Sequence, residues 1–248
     1  MRKQSKFYSP MMKALKVPAV TTILLSLSVI PLSGQKVDMQ QHLADLKESM
    51  AKNKQALAQY TWKEELRIFV KGDEKKTEHF HVRMGPDGKP QKTPMDSAPR
   101  SQAESSGPRG RLRQRIVERK KEEYEDYADR MKALVQQYVP PDKNVIQDAF
   151  SKGNMSFTPG AGGAGEVKIV IQNYLKPNDS MTIFFNKDRK QISSIRIASY
   201  MDDPTDGMNL NVQCSSLPDG PSHVSSTTIE GVRKQLTIKT QNSDYQKL

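Results

Sequence analysis

The C-terminal third of the chain is a run of short strand-like segments, and this feature constrains the fold more than any other. From Glu166 to the end, β-branched and aromatic residues cluster in six segments separated by turn-rich links such as PND, KDRK and DDPTDG. Consecutive strands with such short links pair antiparallel, because parallel strands need a long crossover. The predicted strands are EVKIVIQNYL, SMTIFFN, QISSIRIASYM, MNLNVQCSSL, HVSSTTIEG and KQLTIKTQNSDY.

Helices and a strand hairpin are predicted upstream of this meander. Residues 37–59 carry apolar side chains at helical spacing, and YTWKEELRIFV and KKTEHFHVRM then predict two strands joined by the turn KGDE. Residues 94–110 contain almost no large apolar side chain, which indicates a flexible insertion. A charged helix is predicted at about 110–139, DKNVIQDAF predicts a short helix, and the glycine-rich segment 160–165 predicts a loop.

This order of elements predicts an α+β fold. Each helix has one apolar stripe that must be buried against another element, and a sheet of eight or so strands curls as it twists. We therefore expect a curved antiparallel β-sheet, an unclosed half-barrel, with the amphipathic helices packed on its concave face.

The first 34 residues have the organisation of a secretory signal peptide. Five basic residues and no acidic residue precede an apolar run of 14 residues, 17–30, and a proline and small residues follow it. The run is short for a membrane span, which needs roughly 20 residues. We predict a signal peptide at 1–34 and a single exported domain at 35–248, periplasmic or extracellular after cleavage. Retention of the segment as an anchor would leave the domain on the same side of the membrane.

Export changes the meaning of the net charge, which is +11 for the whole chain. Without the five basic residues of the predicted signal peptide, 34 basic residues face 28 acidic ones, a net charge of +6. An exported protein does not meet DNA or RNA, so we expect no nucleic-acid partner. Cys214 is the single cysteine and therefore forms no internal disulfide.

No constellation of residues predicts catalysis, a cofactor or a metal. His79 and His81 project from one face of a strand, but the sequence supplies no third ligand at a suitable spacing. Ser49 and Lys52 have the spacing of a nucleophile and its base without the accompanying motifs. DDPTDG at 202–207 predicts a hairpin turn and departs from the calcium-loop pattern. We expect a non-enzymatic protein with no cofactor and no metal.

The signal peptide, the first helix, the stretch YTWKEELRIFVKGDEKKTEHFHVRMGPDGKP and the long meander together resemble the LolA/LolB superfamily. That superfamily includes periplasmic lipoprotein carriers, outer-membrane lipoprotein-sorting proteins and related stress-sensor domains. The resemblance covers roughly residues 37–248 and rests on the order of elements and the texture of the strands. It implies an unclosed β-barrel with a helical lid over an apolar cavity that accepts acyl chains.

The expected function is the binding of lipid or lipoprotein acyl chains in such a cavity by an exported envelope protein. The alternative is a structural or interaction protein of the cell envelope, in which the same apolar residues form a filled core. Strand alternation does not distinguish a filled core from an open cavity. The candidate lining residues are Phe69, Phe80, Ile169, Ile171, Phe184, Ile195 and Ile197.

The charged helix begins with the basic run RGRLRQRIVERKK, residues 109–121. Acidic residues follow it, so the helix is bipolar, and its basic end is at the N-terminus, where the helix dipole disfavours positive charge. No structural gain explains this placement. We therefore expect Arg111, Arg113 and Arg115 to face an anionic surface, either a membrane or an acidic envelope protein; a solvated helix end is the alternative.

Overall fold

A computed structural model of the protein describes residues 32–86, 88–95, 108–163, 165–218 and 220–248, with the backbone alone at 32–39 and 108–114. The predicted signal peptide, residues 1–34, lies outside the described residues except for its last three, and most of the predicted insertion at 94–110 also lies outside them.

One antiparallel sheet of ten strands dominates the structure. Its spatial order is β3-β2-β1-β10-β9-β8-β7-β6-β5-β4, so the last strand pairs with the first and the sheet ends at β3 and β4 without closing. The strands are β1 (Tyr60–Val70), β2 (Asp73–Met84), β3 (Pro90–Pro94), β4 (Met155–Pro159), β5 (Glu166–Gln172), β6 (Ser180–Asn186), β7 (Gln191–Tyr200), β8 (Gly207–Ser216), β9 (Ser222–Gly231) and β10 (Leu236–Lys247).

Three helices pack on one face of this sheet, which we call the inner face. They are α1 (Leu32–Leu57), α2 (Pro108–Tyr138) and α3 (Lys143–Ser151). Asp142 caps α3, because its carboxylate accepts hydrogen bonds from the amide groups of Asn144 and Val145. The helices make their main contacts with β5, β7, β9 and β10. The opposite face is called the outer face.

Helix α2 is held against the ends of the strands by two buried hydrogen bonds. The Tyr127 hydroxyl donates to Asp206 at 2.7 Å, and the Tyr138 hydroxyl donates to Asp179 at 2.6 Å. Asp179 is fully buried and also accepts hydrogen bonds from the backbone amides of residues 174, 175 and 176. Burial and the acceptor carboxylates raise the pKa of both tyrosine hydroxyls above the ordinary value, so both remain protonated donors.

The predicted fold class is confirmed: the protein is α+β, with an unclosed antiparallel sheet and helices on one face. The six C-terminal strands and the β1–β2 hairpin are where the sequence predicts them, and DDPTDG forms the turn between β7 and β8. Strand β4, MSFTP, was not predicted. It is a short edge strand beside a glycine-rich segment, and Pro159 is tolerated there because edge positions need not donate to a ladder.

Within the described residues, no helix combines the length and the apolar character that a membrane span requires.

Candidate functional site

Four of the seven predicted lining residues lie deep in the inner face. Ile169, Ile171, Ile195 and Ile197 are each at most 4% exposed. They belong to the main core, which also contains Leu46 of α1 and the buried side of α2 and α3. In this half of the sheet, from β5 to β9, the helices and the strands fill the space between them.

Phe69 and Phe184 lie on the outer face, away from the helices. Phe69 is opposite Thr237, and the Lys239 ammonium group is 5.1 Å from its ring centroid. The Arg196 guanidinium group is similarly placed over the Phe184 ring, at 5.0 Å. The seven predicted residues therefore do not share one surface, because alternation along a strand does not by itself say which face meets the helices.

Phe80 lies on the inner face in a different setting. It is half-buried, and it pairs with Glu64 of β1 and Pro94 of β3. Two further half-buried residues, Ile68 and Val70, lie on the same face of β1 and pack against the edge of the core. We call the inner face of β1 and β2 the hairpin strip. It comprises Trp62, Glu64, Leu66, Ile68 and Val70 of β1 and, directly opposite them on β2, Val82, Phe80, Glu78, Lys76 and Asp73.

The hairpin strip is only partly open. Trp62, Glu64, Leu66 and Val82 are buried, whereas Ile68, Val70 and Phe80 are half-buried. Phe80 lies level with Glu64, so the half-buried side chains span about 20 Å from there to Val70, at roughly 3.4 Å per residue. They can contact a hydrocarbon chain at both ends of this span.

Each charged group of the strip has an oppositely charged partner. Glu64 is buried, and the Lys92 ammonium group of β3 donates a hydrogen bond to its carboxylate. Because a buried carboxylate is costly without a partner, Lys92 allows Glu64 to lie beside apolar side chains. On β2, Lys76 pairs with Glu78 at 2.8 Å, and Asp73 pairs with Lys75 at 3.1 Å.

An aromatic cluster closes the end of the strip near α1. The rings of Trp62 and Tyr245 stack at 5.3 Å between centroids, and the His223 ring is 4.1 Å from Tyr245. The indole nitrogen of Trp62 and the side-chain oxygen of Asn242 are buried and have no hydrogen-bond partner among the described residues. In the described part of the chain, this end of the strip therefore contains one unpaired donor and one unpaired acceptor that are enclosed by the packed side chains.

Burial raises the pKa of two titratable groups at this end of the strip. Desolvation raises the pKa of the Tyr245 hydroxyl above its ordinary value, and Glu64 adds to the effect. Burial also raises the pKa of the Cys214 thiol to about 11. A thiol with such a pKa is protonated at neutral pH and is a poor nucleophile.

The basic half of α2 lies at the edge of the molecule. Arg115 is exposed, and the side chains of Arg111 and Arg113 are outside the described atoms. Every residue from 115 to 123 is exposed, whereas the helix from Tyr127 onward contributes its apolar side to the core. Among the side chains that the structure describes, those from Tyr124 onward attach the helix to the core.

The remaining sequence candidates have ordinary surroundings. His79 and His81 share the outer face of β2, and the His79 ring is 3.6 Å from the Glu65 carboxylate. Ser49 donates a hydrogen bond to the backbone carbonyl of Lys190. Lys52 instead pairs with Glu48 in the preceding turn of α1, on the helix surface.

The sequence reasoning missed the residues that distinguish the hairpin strip. Glu64 and Lys92 are far apart in sequence, and Lys92 lies in a short segment without apolar residues. Trp62 and Tyr245 meet because the last strand pairs with the first. The single tryptophan at the start of a strand was the one available signal, since a buried indole usually indicates a packed aromatic site.

These features define the class: an α+β protein with an open antiparallel sheet, whose inner face forms a filled core from β5 to β9 and a half-buried strip on β1 and β2. No family model matches the chain, and no curated protein matches it. Among solved structures, the crystal structure of a DUF1329 family protein from Desulfovibrio piger is similar at 10% identity. The alignment covers 84% of this chain and 92% of that chain, with a TM-score of 0.44. A similarity this low assigns the chain to no family.

Proposed function

We propose that the protein is an exported, non-enzymatic protein of the cell envelope that binds lipid or lipoprotein acyl chains along the hairpin strip. The observation that carries the proposal is the position of Ile68, Val70 and Phe80. They face the helix side of the sheet and are only half-buried, next to a core that is otherwise closed.

Hydrophobic burial supplies the binding energy in this proposal. Each methylene group removed from water contributes about 0.8 kcal/mol, so a few methylene groups along the strip give useful affinity without a polar motif. The neutral Glu64–Lys92 pair is compatible with an uncharged chain.

The predicted site of action follows from the sequence of residues 1–34, which resembles a signal peptide. The function proposed here requires export, because lipoproteins and envelope lipids are accessible there. N-terminal sequencing of the protein from the envelope fraction tests this part: a new N-terminus near residue 34 or 35 supports it, and retention in the cytoplasm contradicts it.

A matched pair of phenylalanines tests the binding site. Phe80 and Phe69 belong to the same hairpin, are both half-buried and face opposite sides of the sheet. Displacement of a fluorescent fatty acid by envelope lipids is measured for the unmodified protein, Phe80→Gln and Phe69→Gln. We expect Phe80→Gln to weaken probe binding about ten-fold or more, since a large apolar contact is lost. Phe69→Gln should change it less than two-fold.

Mass spectrometry of lipid that co-purifies with the protein provides an independent measurement. Stoichiometric lipid in the unmodified protein, reduced in Phe80→Gln, supports the proposal. A lipid-free protein that binds no fatty-acid probe contradicts it.

The filled core favours the alternative function, a structural or interaction protein of the envelope. Ile171 and Ile183 are completely buried among the described residues, so a bound chain does not reach these two side chains without a rearrangement of the core. Chemical cross-linking in intact envelopes distinguishes the two functions. A specific protein cross-link in a chain that is free of lipid would establish the alternative.

A further inference from the structure

Helix α2 presents an unusual surface over its exposed segment. Residues 115–123 are all exposed, and they include Ile116 and Val117, at 51% and 65% exposure. A helix segment that is exposed all round gains nothing from tertiary packing, and apolar residues in it are not explained by the core. Their exposure indicates a contact outside the chain.

A neighbouring turn continues this surface. Gly231 and Lys234, at the two ends of the β9–β10 turn, touch α2: a Cβ on Gly231 would meet the Tyr127 ring, and Lys234 pairs with Glu123. Between them lie Val232, 56% exposed, and Arg233. We call residues 115–123 together with Val232 and Arg233 the α2 edge.

Exposed apolar residues concentrate at the α2 edge. The described part of the chain has six large hydrophobic residues with high exposure, and three of them are Ile116, Val117 and Val232. The other three are scattered over Met95, Leu175 and the C-terminal Leu248. Ile116 and Val117 are adjacent on the exposed segment of α2, and Val232 lies in a turn that contacts the same helix about two to three turns further along, at Glu123 and Tyr127. An exposed apolar pair flanked by unpaired basic residues is typical of an interaction surface.

The charge of the α2 edge selects the partner. Arg115, Arg119 and Lys120 make no ion pair with any described residue, and they surround Ile116 and Val117 along the helix. Glu123 pairs with Lys234, and the hydrogen bond and charge of Lys234 lower the pKa of the Glu123 carboxyl. Glu118 and Glu122 make no ion pair with any described residue, and they are outnumbered by the four unpaired basic residues Arg115, Arg119, Lys120 and Arg233. The uncommitted charge is therefore mainly positive.

We propose that the α2 edge docks on the surface of a bilayer that contains anionic phospholipid. Arginine and lysine side chains contact the headgroups, and the short apolar side chains enter the boundary between headgroups and acyl chains, as in helices that lie in a membrane interface. This docking is separate from the hairpin strip and does not depend on it.

Vesicle co-sedimentation tests the proposal. The protein is purified from the envelope fraction, and every variant is prepared with the same N-terminus as the unmodified protein. The vesicles contain either phosphatidylcholine alone or phosphatidylcholine with phosphatidylglycerol. The test variant combines Arg115→Gln, Arg119→Gln and Lys120→Gln. The control combines Lys143→Gln, Lys187→Gln and Lys247→Gln, three exposed residues without ion pairs that lie elsewhere.

We expect the test variant to lose about 100-fold in partitioning to anionic vesicles, from roughly five-fold for each removed charge. The control variant loses the same total charge and should change less than three-fold. Binding of the unmodified protein should fall as salt is raised and should be weak on phosphatidylcholine alone. A second variant, Ile116→Ser with Val117→Ser, should lose about ten-fold at unchanged charge.

Three results would overturn the proposal. Equal losses of vesicle partitioning in the test and control variants would show that net charge alone causes the binding. Equal binding to both kinds of vesicle would remove the role of anionic lipid. Absence of vesicle binding by the unmodified protein would leave an acidic protein as the partner of this edge. Circular dichroism of each variant verifies that the helices remain folded. The Phe80→Gln variant should bind anionic vesicles like the unmodified protein. A failure of the acyl-chain site is therefore distinguishable from a failure of membrane docking.

Discussion

Two regions of the inner face have similar strands and different surroundings. From β5 to β9, isoleucine and methionine side chains alternate with polar ones and are completely covered by helices. On β1 and β2 the alternation continues, but Ile68, Val70 and Phe80 are only half-buried. The comparison shows that strand pattern determines which residues face inward, whereas the position of the helices determines whether that face is a core or an accessible surface.

The largest loss of stability is expected from substitution of Asp179, which holds α2 against the strand ends beside the filled core. Asp179→Ala removes a buried carboxylate that accepts from the Tyr138 hydroxyl and from backbone amides at 174–176. Because these buried donors lose their acceptor, we expect the free energy of unfolding to fall by about 3–5 kcal/mol. Urea denaturation measures it. Asp148→Ala, an exposed substitution in α3, is the control and should stay within about 0.5 kcal/mol.

The two regions are compared directly by the same substitution in each. Ile171→Ala leaves a cavity in the filled core and should reduce the free energy of unfolding by about 3–4 kcal/mol. Ile68→Ala, in the half-buried strip, should cost about 1–2 kcal/mol, because less apolar area is involved. Equal losses in urea denaturation would show that the strip is as closed as the core.

A smaller effect tests the docking of α2 on β9. A Cβ at Gly231 would lie 2.5 Å from a ring carbon of Tyr127, whose hydroxyl is fixed by Asp206. Gly231→Ala should therefore destabilise the protein by about 1–3 kcal/mol through overpacking. At Gly207 the nearest atom is 3.5 Å away, an ordinary contact. Gly207→Ala should be neutral or slightly stabilising in thermal unfolding, and a loss equal to that of Gly231→Ala would contradict the steric account.

The smallest effect is expected at the exposed end of α2. Ile116→Ala and Val117→Ala should each change the free energy of unfolding by less than about 0.5 kcal/mol, since neither side chain contributes to the core. Thermal unfolding measures both. A loss above 1 kcal/mol in either variant would mean that this segment packs against the protein.

Much of the fold was accessible from the sequence because it depends on local signals. Turn residues at short intervals define the six C-terminal strands, and apolar periodicity defines α1 and α2. Strand β4 was missed because five residues between a helix and a glycine-rich segment carry little pattern. The apolar stripe of α2 predicts a buried side along the whole helix, whereas residues 115–123 are exposed.

The candidate site was less accessible, because it depends on contacts between distant segments. Of the seven candidate lining residues, Phe80 and the four isoleucines lie on the helix side of the sheet, whereas Phe69 and Phe184 face outward. A bulge at β6–β7 and another at β1–β2 shift the pairing registers, and a sequence pattern alone does not locate such shifts. The Glu64–Lys92 pair forms because β3 lies beside β2, and the sequence does not predict that pairing of strands.

The most direct test of the central claim is to locate a bound chain on the protein. A fatty acid that carries a diazirine in its hydrocarbon tail is cross-linked by light, and tandem mass spectrometry identifies the labelled residues. If acyl chains bind along the hairpin strip, we expect saturable labelling at Ile68, Phe80 and neighbouring residues of the strip. Labelling centred on Ile171 and Ile197, or labelling that excess unlabelled fatty acid does not reduce, would contradict it.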